Sequence, residues 1–420
     1  MADKPARLPA YGVRVDEFGA LGDGTTDDAP ALQQALDAHR GLVVVPKGEY
    51  RIGSTLRISS GTRLVAHPEA RFVLADGAGV GRGSHLLANA NQAVGDRSIH
   101  VSGGVWDGNA AGNPRGADEP EAYTGVLFNF TNVEGLELRD MALRNPTSYN
   151  IRVGQARRFA ISGIRFEADA IMPNQDGVHL GGFCEDGLIQ DITATGRATP
   201  NDDLVALNAD DANHRAQNLG KRCGPIRRVH VRRLRAEDCH SFVRFLSVDS
   251  PIEDVVVEDV QGGCRVCAIN ADACRSCMVP VMDASDPRYA KGCGDIRNCT
   301  ATGMQVHKSV ASNAKPLFDL QSHARGFELR DVVRDGEADM SPQAPTVRVA
   351  YVPGTEVMLE GITEKQLADA RRAAPTSIQG EMRLAQLADT AAFRVEAKLS
   401  GMEDTLVLPG GGFSRLRLSR

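Results

Sequence analysis

The sequence is short of several things, and each shortage removes a class of protein. No stretch of about 18 consecutive apolar residues occurs, so no segment reads as a membrane-spanning helix. The dipeptide Asn-Gly, a strong hairpin signal, is absent, which counts against a sandwich or propeller assembled from tight hairpins. Aromatic residues make up only 5% of the chain, so a core has to be built mainly from aliphatic side chains. Charge of either sign is nearly balanced, with 48 Lys and Arg against 54 Asp and Glu for a net charge of -6, so neither nucleic acid nor a membrane is an expected partner. The opening MADKPARLPA lacks the apolar stretch of a secretory signal. As written, the chain reads as soluble and unexported; a secreted or periplasmic protein whose signal had been removed would begin the same way.

What the sequence does contain is a repeat. A unit of apolar, any, apolar, two of any, apolar recurs as Leu136, Leu138, Met141; Phe159, Ile161, Ile164; Val229, Val231, Leu234; Val255, Val257, Val260; and Phe327, Leu329, Val332. The period of two predicts half-buried strands, and the extra residue before the third apolar position predicts a bend between successive strands. GVHL (177–180) and LVAL (204–207) read as second strands, and Leu136 and Phe159 lie 23 residues apart. A repeat of that size with two or three short strands per turn predicts an all-β solenoid, a right-handed parallel β-helix whose coils stack about 4.8 Å apart. The 42% hydrophobic content over 420 residues is ample for its core.

The solenoid is expected over residues 12–350. Residues 351–420 should form a tail that caps or extends it, with a helix over 364–374 (EKQLADARRAA) and two or three strands. At the other end, TTDDAPALQQALDAHRG predicts a capping helix. Thr25 or Thr26 is its expected N-cap, Asp27 and Asp28 suit its positive end, Pro30 falls in its first turn, and Leu32 and Leu36 form its apolar face.

The stretch VDEFGALGDGTTDDAPALQQALD, followed by VVVPKGEYRI and SIHVSGGVWDGN, resembles the N-terminal segment of the pectin lyase-like β-helix superfamily. More specifically, NQDGVHLGG at 174 and NDDLVALN at 201 resemble the Asn-Thr-Asp-Gly and Gly-Asp-Asp motifs of glycoside hydrolase family 28, the polygalacturonase group. The resemblance covers residues 12 to about 335. It implies a hydrolase of glycosidic bonds that needs no cofactor or metal, with Asp202 as general acid and with Asp176 and Asp203 holding and deprotonating a water. His240, in Cys239-His240-Ser241, takes the place of the family's Gly-His-Gly histidine. Arg265 takes that of the arginine in Arg-Ile-Lys, where it would bind a substrate carboxylate or hydroxyl. Three positions depart from the pattern: Gln175 stands for threonine, Asn201 for glycine, and Cys267 for the substrate-binding lysine. The last change counts against polygalacturonate itself as the substrate.

Placing the strands in register tests whether these residues meet. Val178 over Val205 and Leu180 over Leu207 set Asp176 over Asp203 and Gln175 over Asp202. One coil on, Val243 and Phe245 of CHSFVRFL fall in the same columns, which puts His240 beside Asp202 and turns Arg244 outward. In GCRVCAIN, Ile269 and Asn270 are expected over Leu207 and Asn208, with Arg265 in the column of Asp203. Asn174, Gln175, His179, His240, Arg244 and Arg265 are thus the expected sugar-binding set around the three acids. Inverting hydrolysis needs one protonated carboxyl and one carboxylate roughly 6.5–9.5 Å apart, and crowding of like charges keeps one acid protonated.

Other features carry plainer expectations. Asp210 and Asp211 could line the groove but read first as polar loop, and Trp106 reads as core or coil bend. Residues 212–236 hold eight Lys or Arg and no acid, which suits outward strand faces or a rim that attracts an anionic glycan. Cys264, Cys267, Cys274 and Cys277 form two CxxC pairs only six residues apart, open to disulfides, buried thiols or a structural zinc site. The expected partner is a polysaccharide or oligosaccharide, pectin-like or uronate-containing. Two rival functions share the fold: a lyase in which Asp176, Asp202 and Asp203 bind calcium while Arg265 or Arg244 abstracts a proton, and a non-catalytic glycan-binding β-helix.

Overall fold

Aliphatic residues at alternate positions build the structure rung by rung. In the computed structural model, Val13, Val43, Leu64, Val101, Leu138, Ile161, Ile189, Val231, Val257, Ala301, Leu329 and Leu359 pair in parallel register, each above the last, and all are buried. Each added rung buries several such side chains, worth about 1.5–3 kcal/mol apiece. The described residues are 12–115 except 82, 125–211, 218, 220–271, 294–350 except 312, 313 and 343, and the strands 356–365, 381–386, 393–398, 405–407 and 413–419. Strands dominate, and neighbouring coils pair in parallel, so the fold is a parallel β-helix.

The extra residue in the repeat has a direct structural meaning. Asp140, Gly163, Asp191, Arg233, Asp259, Gly303 and Asp331, each just before the third apolar position, all have left-handed φ angles between 48° and 65°. One left-handed residue turns the strand while leaving inward positions on both sides of it. Asp and Gly recur there because they tolerate that conformation best. A coil's first long strand, such as Cys184–Ala194, therefore bends and hands over through a turn to a second strand such as Asp203–Asn208.

The N-terminal helix spans Ala29–Ala38, with Pro30 in its first turn and Leu32 and Leu36 buried. Its N-cap is Asp28, not Thr25 or Thr26, which belong to the strand Asp23–Asp27. Asp23 takes up the threonines' N–H groups locally, while the Asp27 carboxylate accepts from Ala29 N–H at 3.1 Å and Gly53 N–H at 2.8 Å. Asp28 turns backward to Leu21 and Gly22. At the other end, parallel stacking continues through Glu356–Lys365, so Glu364 and Lys365 of the expected 364–374 helix lie in a strand, and its remainder lies outside the described residues. Thr405–Val407 and Phe413–Ser419 then pair antiparallel on the last two strands.

Trp106 is core, its ring stacked on Phe72 with centroids 3.8 Å apart. Cys264 and Cys267 are buried free thiols, and burial pushes Cys264 up to about 12, so it stays protonated. Cys274 and Cys277 lie outside the described residues. Among the described residues, no helix is long and apolar enough to cross a membrane.

Candidate active site

The second strands of successive coils carry an outward column as regular as the inward ones. Asn129, Arg152, His179, Ala206, Arg244, Asn270, Asp319 and Arg348 stand in register one above the next. Every member is polar or charged except Ala206. Its neighbours His179, one rung below, and Arg244, one rung above, both line a cleft of about 200 Å³. Tyr149, Asn174, Asp176, His179, Asp202, Asp203, Asn208, Asp211, Arg244 and Leu246 line it.

Asp202 ends the turn that enters the strand, and Asp203 opens the strand itself. Asp203 is buried, whereas the Asp202 side chain keeps 22% of its surface exposed at the cleft. His240 Nδ1 lies 3.7 Å from Asp202 Oδ1 and 3.6 Å from Asp203 Oδ1, and Arg244 Nη1 lies 3.7 Å from Asp203 Oδ2. The Asp203 N–H donates to Asp202 Oδ1 at 3.1 Å. Burial, then the charges of Asp176 and Asp203, push Asp202 up to about 8, so it carries a proton at neutral pH. Burial acts in the same sense on Asp203, but His240, Arg244 and Ser241 outweigh it and hold its carboxyl below the usual range. Burial opposes a charge on His240, and the two carboxylates overcome it to raise the ring. One atom each of Asp202, Asp203 and His240 falls within 4.8 Å of the others, close enough to surround a cation, although Arg244 already supplies positive charge there.

Asp176 lies one coil below, ahead of the paired strands Val178–Leu180 and Asp203–Asn208. Its carboxylate meets His179 Nδ1, while His179 Nε2 lies 2.9 Å from Asp211 Oδ2. Tyr149 stacks on the imidazole with ring centroids 4.1 Å apart. Burial works against the His179 charge, yet Asp176 and Asp211 overcome it and raise the ring to about 9. Burial also pushes Asp176 up, with His179 pulling against it. Asp211 is therefore cleft lining, the second of its two expected readings. Its neighbour Asp210 is a brace, accepting the N–H groups of Val248, Asp249 and Ser250 at 2.7 Å each. Neither Tyr149 nor Asn208 stood out in the sequence. Their only signal is position, Tyr149 just before a second strand and Asn208 at the end of one.

The remaining expected site residues divide. Asn174 lines the cleft, and its side-chain oxygen accepts from Arg115. Gln175 is buried within its own turn: Nε2 donates to the carbonyls of Pro146 and Ala170, and Oε1 accepts from Met172 N–H. The expected position of Arg265 needs a larger correction. Cys267, not Arg265, stands in the column of Asp203 and Ser241, and Ile269 stacks on Val243, so this strand sits two residues away from the register expected. The irregularities between Ala236 and Ser241 cancel, so the register is the same on both sides of them; the apolar alternation did not fix it because a slip of two residues keeps every side chain on its own face. Arg265 does not line the cleft and donates to Asn201 Oδ1. In the basic segment, Arg228 pairs with Glu185 and Asp186, Arg233 with Asp191, and Arg235 with Asp259, as outward strand faces do. Lys221 is instead buried, donating to Phe130 O and Thr131 Oγ1.

Residues 12–113 match a family model described as rhamnogalacturonase A/epimerase, pectate lyase-like. The match covers the first coils of the β-helix and ends before the cleft residues. Over 84% of the chain this β-helix superposes on a family 28 exopolygalacturonase of Yersinia enterocolitica, covering 75% of that chain, with a TM-score of 0.56 and 15% identity. In sequence, the chain is 26% identical over 224 residues to a probable polygalacturonase of Arabidopsis thaliana, covering 50% of this chain and 45% of the plant protein. It is also 35% identical over 103 residues to the preneck appendage protein of Bacillus phage PZA, covering 24% of this chain and only 12% of the phage protein. The chain is thus similar over part of its length both to a probable polygalacturonase and to a viral appendage protein, and it spans less than half the length of either.

Proposed function

We propose that the protein is a glycoside hydrolase that cleaves a uronate-containing, pectin-like polysaccharide or oligosaccharide with inversion. The observation that carries this reading is the gathering of Asp202, Asp203 and Asp176 in one cleft, where burial and neighbouring carboxylates push Asp202 up while His240 and Arg244 hold Asp203 down. Asp202 donates its proton to the glycosidic oxygen as the bond to the anomeric carbon breaks. A water held by Asp203 and Asp176 attacks that carbon from the opposite face and gives its proton to the carboxylate. One C–O bond breaks, one forms, and one water is consumed. Asp202 and Asp203 present oxygens within 4.8 Å of each other, so the gap that an inverting pair keeps for its water is assigned to Asp202 and Asp176, on neighbouring coils. His240, Arg244, His179 and Asn174 are the groups placed to meet sugar hydroxyls or a carboxylate, and Arg244 balances charge at Asp203.

The test is a panel of uronate-containing glycans read by release of reducing ends, with the product anomer followed by NMR and Asp202→Asn as control. The reading expects cleavage with inverted configuration, insensitive to EDTA and lost in the variant. Activity abolished by EDTA, or a product that absorbs in the near ultraviolet from a new double bond, would establish a lyase instead. The phage relative favours one alternative, a non-catalytic glycan-binding β-helix. In that case glycans bind equally to the wild type and Asp202→Asn, and none is cleaved.

A further inference from the structure

The general acid sits on a turn, and the turn is held from outside itself. Residues 196–201 lead from the strand Cys184–Ala194 towards Asp203–Asn208 and deliver Asp202 into the cleft. Glu237 Oε2 accepts Gly196 N–H at 2.8 Å, and Asp238 Oδ2 accepts Ala198 N–H at 2.7 Å. The His240 N–H donates to Pro200 O at 3.1 Å. Arg265 donates to Asn201 Oδ1, and Asn201 Nδ2 donates to Met172 O at 3.0 Å. The grip therefore comes from both sides, Met172 on the coil below and the others on the two coils above.

Two adjacent carboxylates reaching one turn is unusual for a strand, whose consecutive side chains point to opposite faces. The strand Ile226–Leu246 is irregular against Val256–Ala271 between Ala236 and Ser241, and such a bulge re-aims the side chains on it. Glu237 and Asp238 lie inside that interval. Asp238 uses its other oxygen to accept from Ser309 Oγ, and the Ser309 N–H donates to Cys264 O at 3.0 Å. Asp238 thus ties the turn to a point two coils above its own.

We propose that Asp238 and Arg265 are positioning residues that clamp the turn 196–201 and thereby set the place of Asp202, with Arg265 acting on the turn and not on the substrate. The proposal rests on the reading of Asp202 as the general acid. A geometric error of about 1 Å at a reacting group can cost about 10²-fold in rate. Asp238→Ala and Arg265→Ala should accordingly lower kcat by about 10- to 100-fold with KM nearly unchanged. Asp238→Asn keeps an oxygen for Ala198 N–H and should recover most of that loss.

Hydrogen exchange supplies a readout independent of activity. In Asp238→Ala the amides of Gly196 and Ala198 should exchange faster, while those of Val205 and Leu207 stay protected. A raised KM with kcat intact in Arg265→Ala, or unchanged exchange at Gly196 and Ala198 in Asp238→Ala, overturns the proposal. If the wild type cleaves no glycan, the hydrolase reading fails, and the exchange result still decides whether the clamp exists. Should Asp238→Ala fail to fold by circular dichroism, Ser309→Ala removes only the far anchor and must show the same direction of change to sustain the proposal.

Discussion

Replacing Asp202 with asparagine should abolish activity and make the protein more stable at neutral pH. In the native cleft the carboxyl holds its proton to about pH 8, whereas in the unfolded chain it is released near pH 4. Between those limits the native state binds one more proton than the unfolded state, so this residue lowers stability by about 1.4 kcal/mol for each pH unit gained. At pH 7 the penalty reaches roughly 4 kcal/mol, and the 22% exposure of the side chain argues for about 2–4 kcal/mol in practice. Asparagine does not ionise in either state, and its oxygen still accepts the Asp203 N–H that Asp202 now receives. Urea and thermal midpoints of the wild type and Asp202→Asn, measured in parallel at pH 4 and pH 7, should nearly coincide at the lower pH and separate at the higher in favour of the variant. Equal midpoints at both values, or a variant weaker at pH 7, would mean that the carboxyl is ionised in the cleft and that the general-acid argument is wrong.

Because the acid must be protonated to work, kcat of the wild type should fall about tenfold per pH unit above pH 8, as a full pH profile on a cleaved glycan would show. Ala206→Leu, at a fully buried position between the cleft residues His179 and Arg244, should cost about 1–3 kcal/mol by overpacking and weaken glycan binding by calorimetry through displacement of those two side chains, while circular dichroism is retained. Gly262→Ala should destabilise by more than about 1 kcal/mol in urea unfolding, since φ is +118° and the new Cβ would lie 1.9 Å from the Ala236 carbonyl oxygen. Trp106→Ala, in the stack with Phe72, should cost about 3–5 kcal/mol by the same measurement.

The inward columns were legible because aliphatic residues at a period of two mark strands with one buried face, and because the left-handed bend leaves a fixed gap in that pattern. The same logic placed Asp176, Asp203 and His240 together, since the strands Val178–Leu180, Asp203–Asn208 and Ile226–Leu246 pair without interruption beside the cleft. It failed at Arg265, because a slip of two residues leaves every side chain on its own face and the apolar pattern cannot register it. Asp211 was left between loop and groove because it follows the last aliphatic position of its strand, so no periodicity fixes where its side chain goes. Gln175 shows the limit of motif matching: a polar residue between two cleft residues turned inward because the carbonyls of Pro146 and Ala170 and the N–H of Met172 needed partners.

The polar column gives the cleft an address. His179 and Arg244 line it from two rungs apart with the alanine between them, so moving either side chain to the equivalent position on a neighbouring coil would displace its contact by one rung, about 4.8 Å, without disturbing a backbone hydrogen bond. Substrate register against the acids is then a stepwise quantity in this architecture, adjusted by exchanging side chains between equivalent positions and not by remodelling loops.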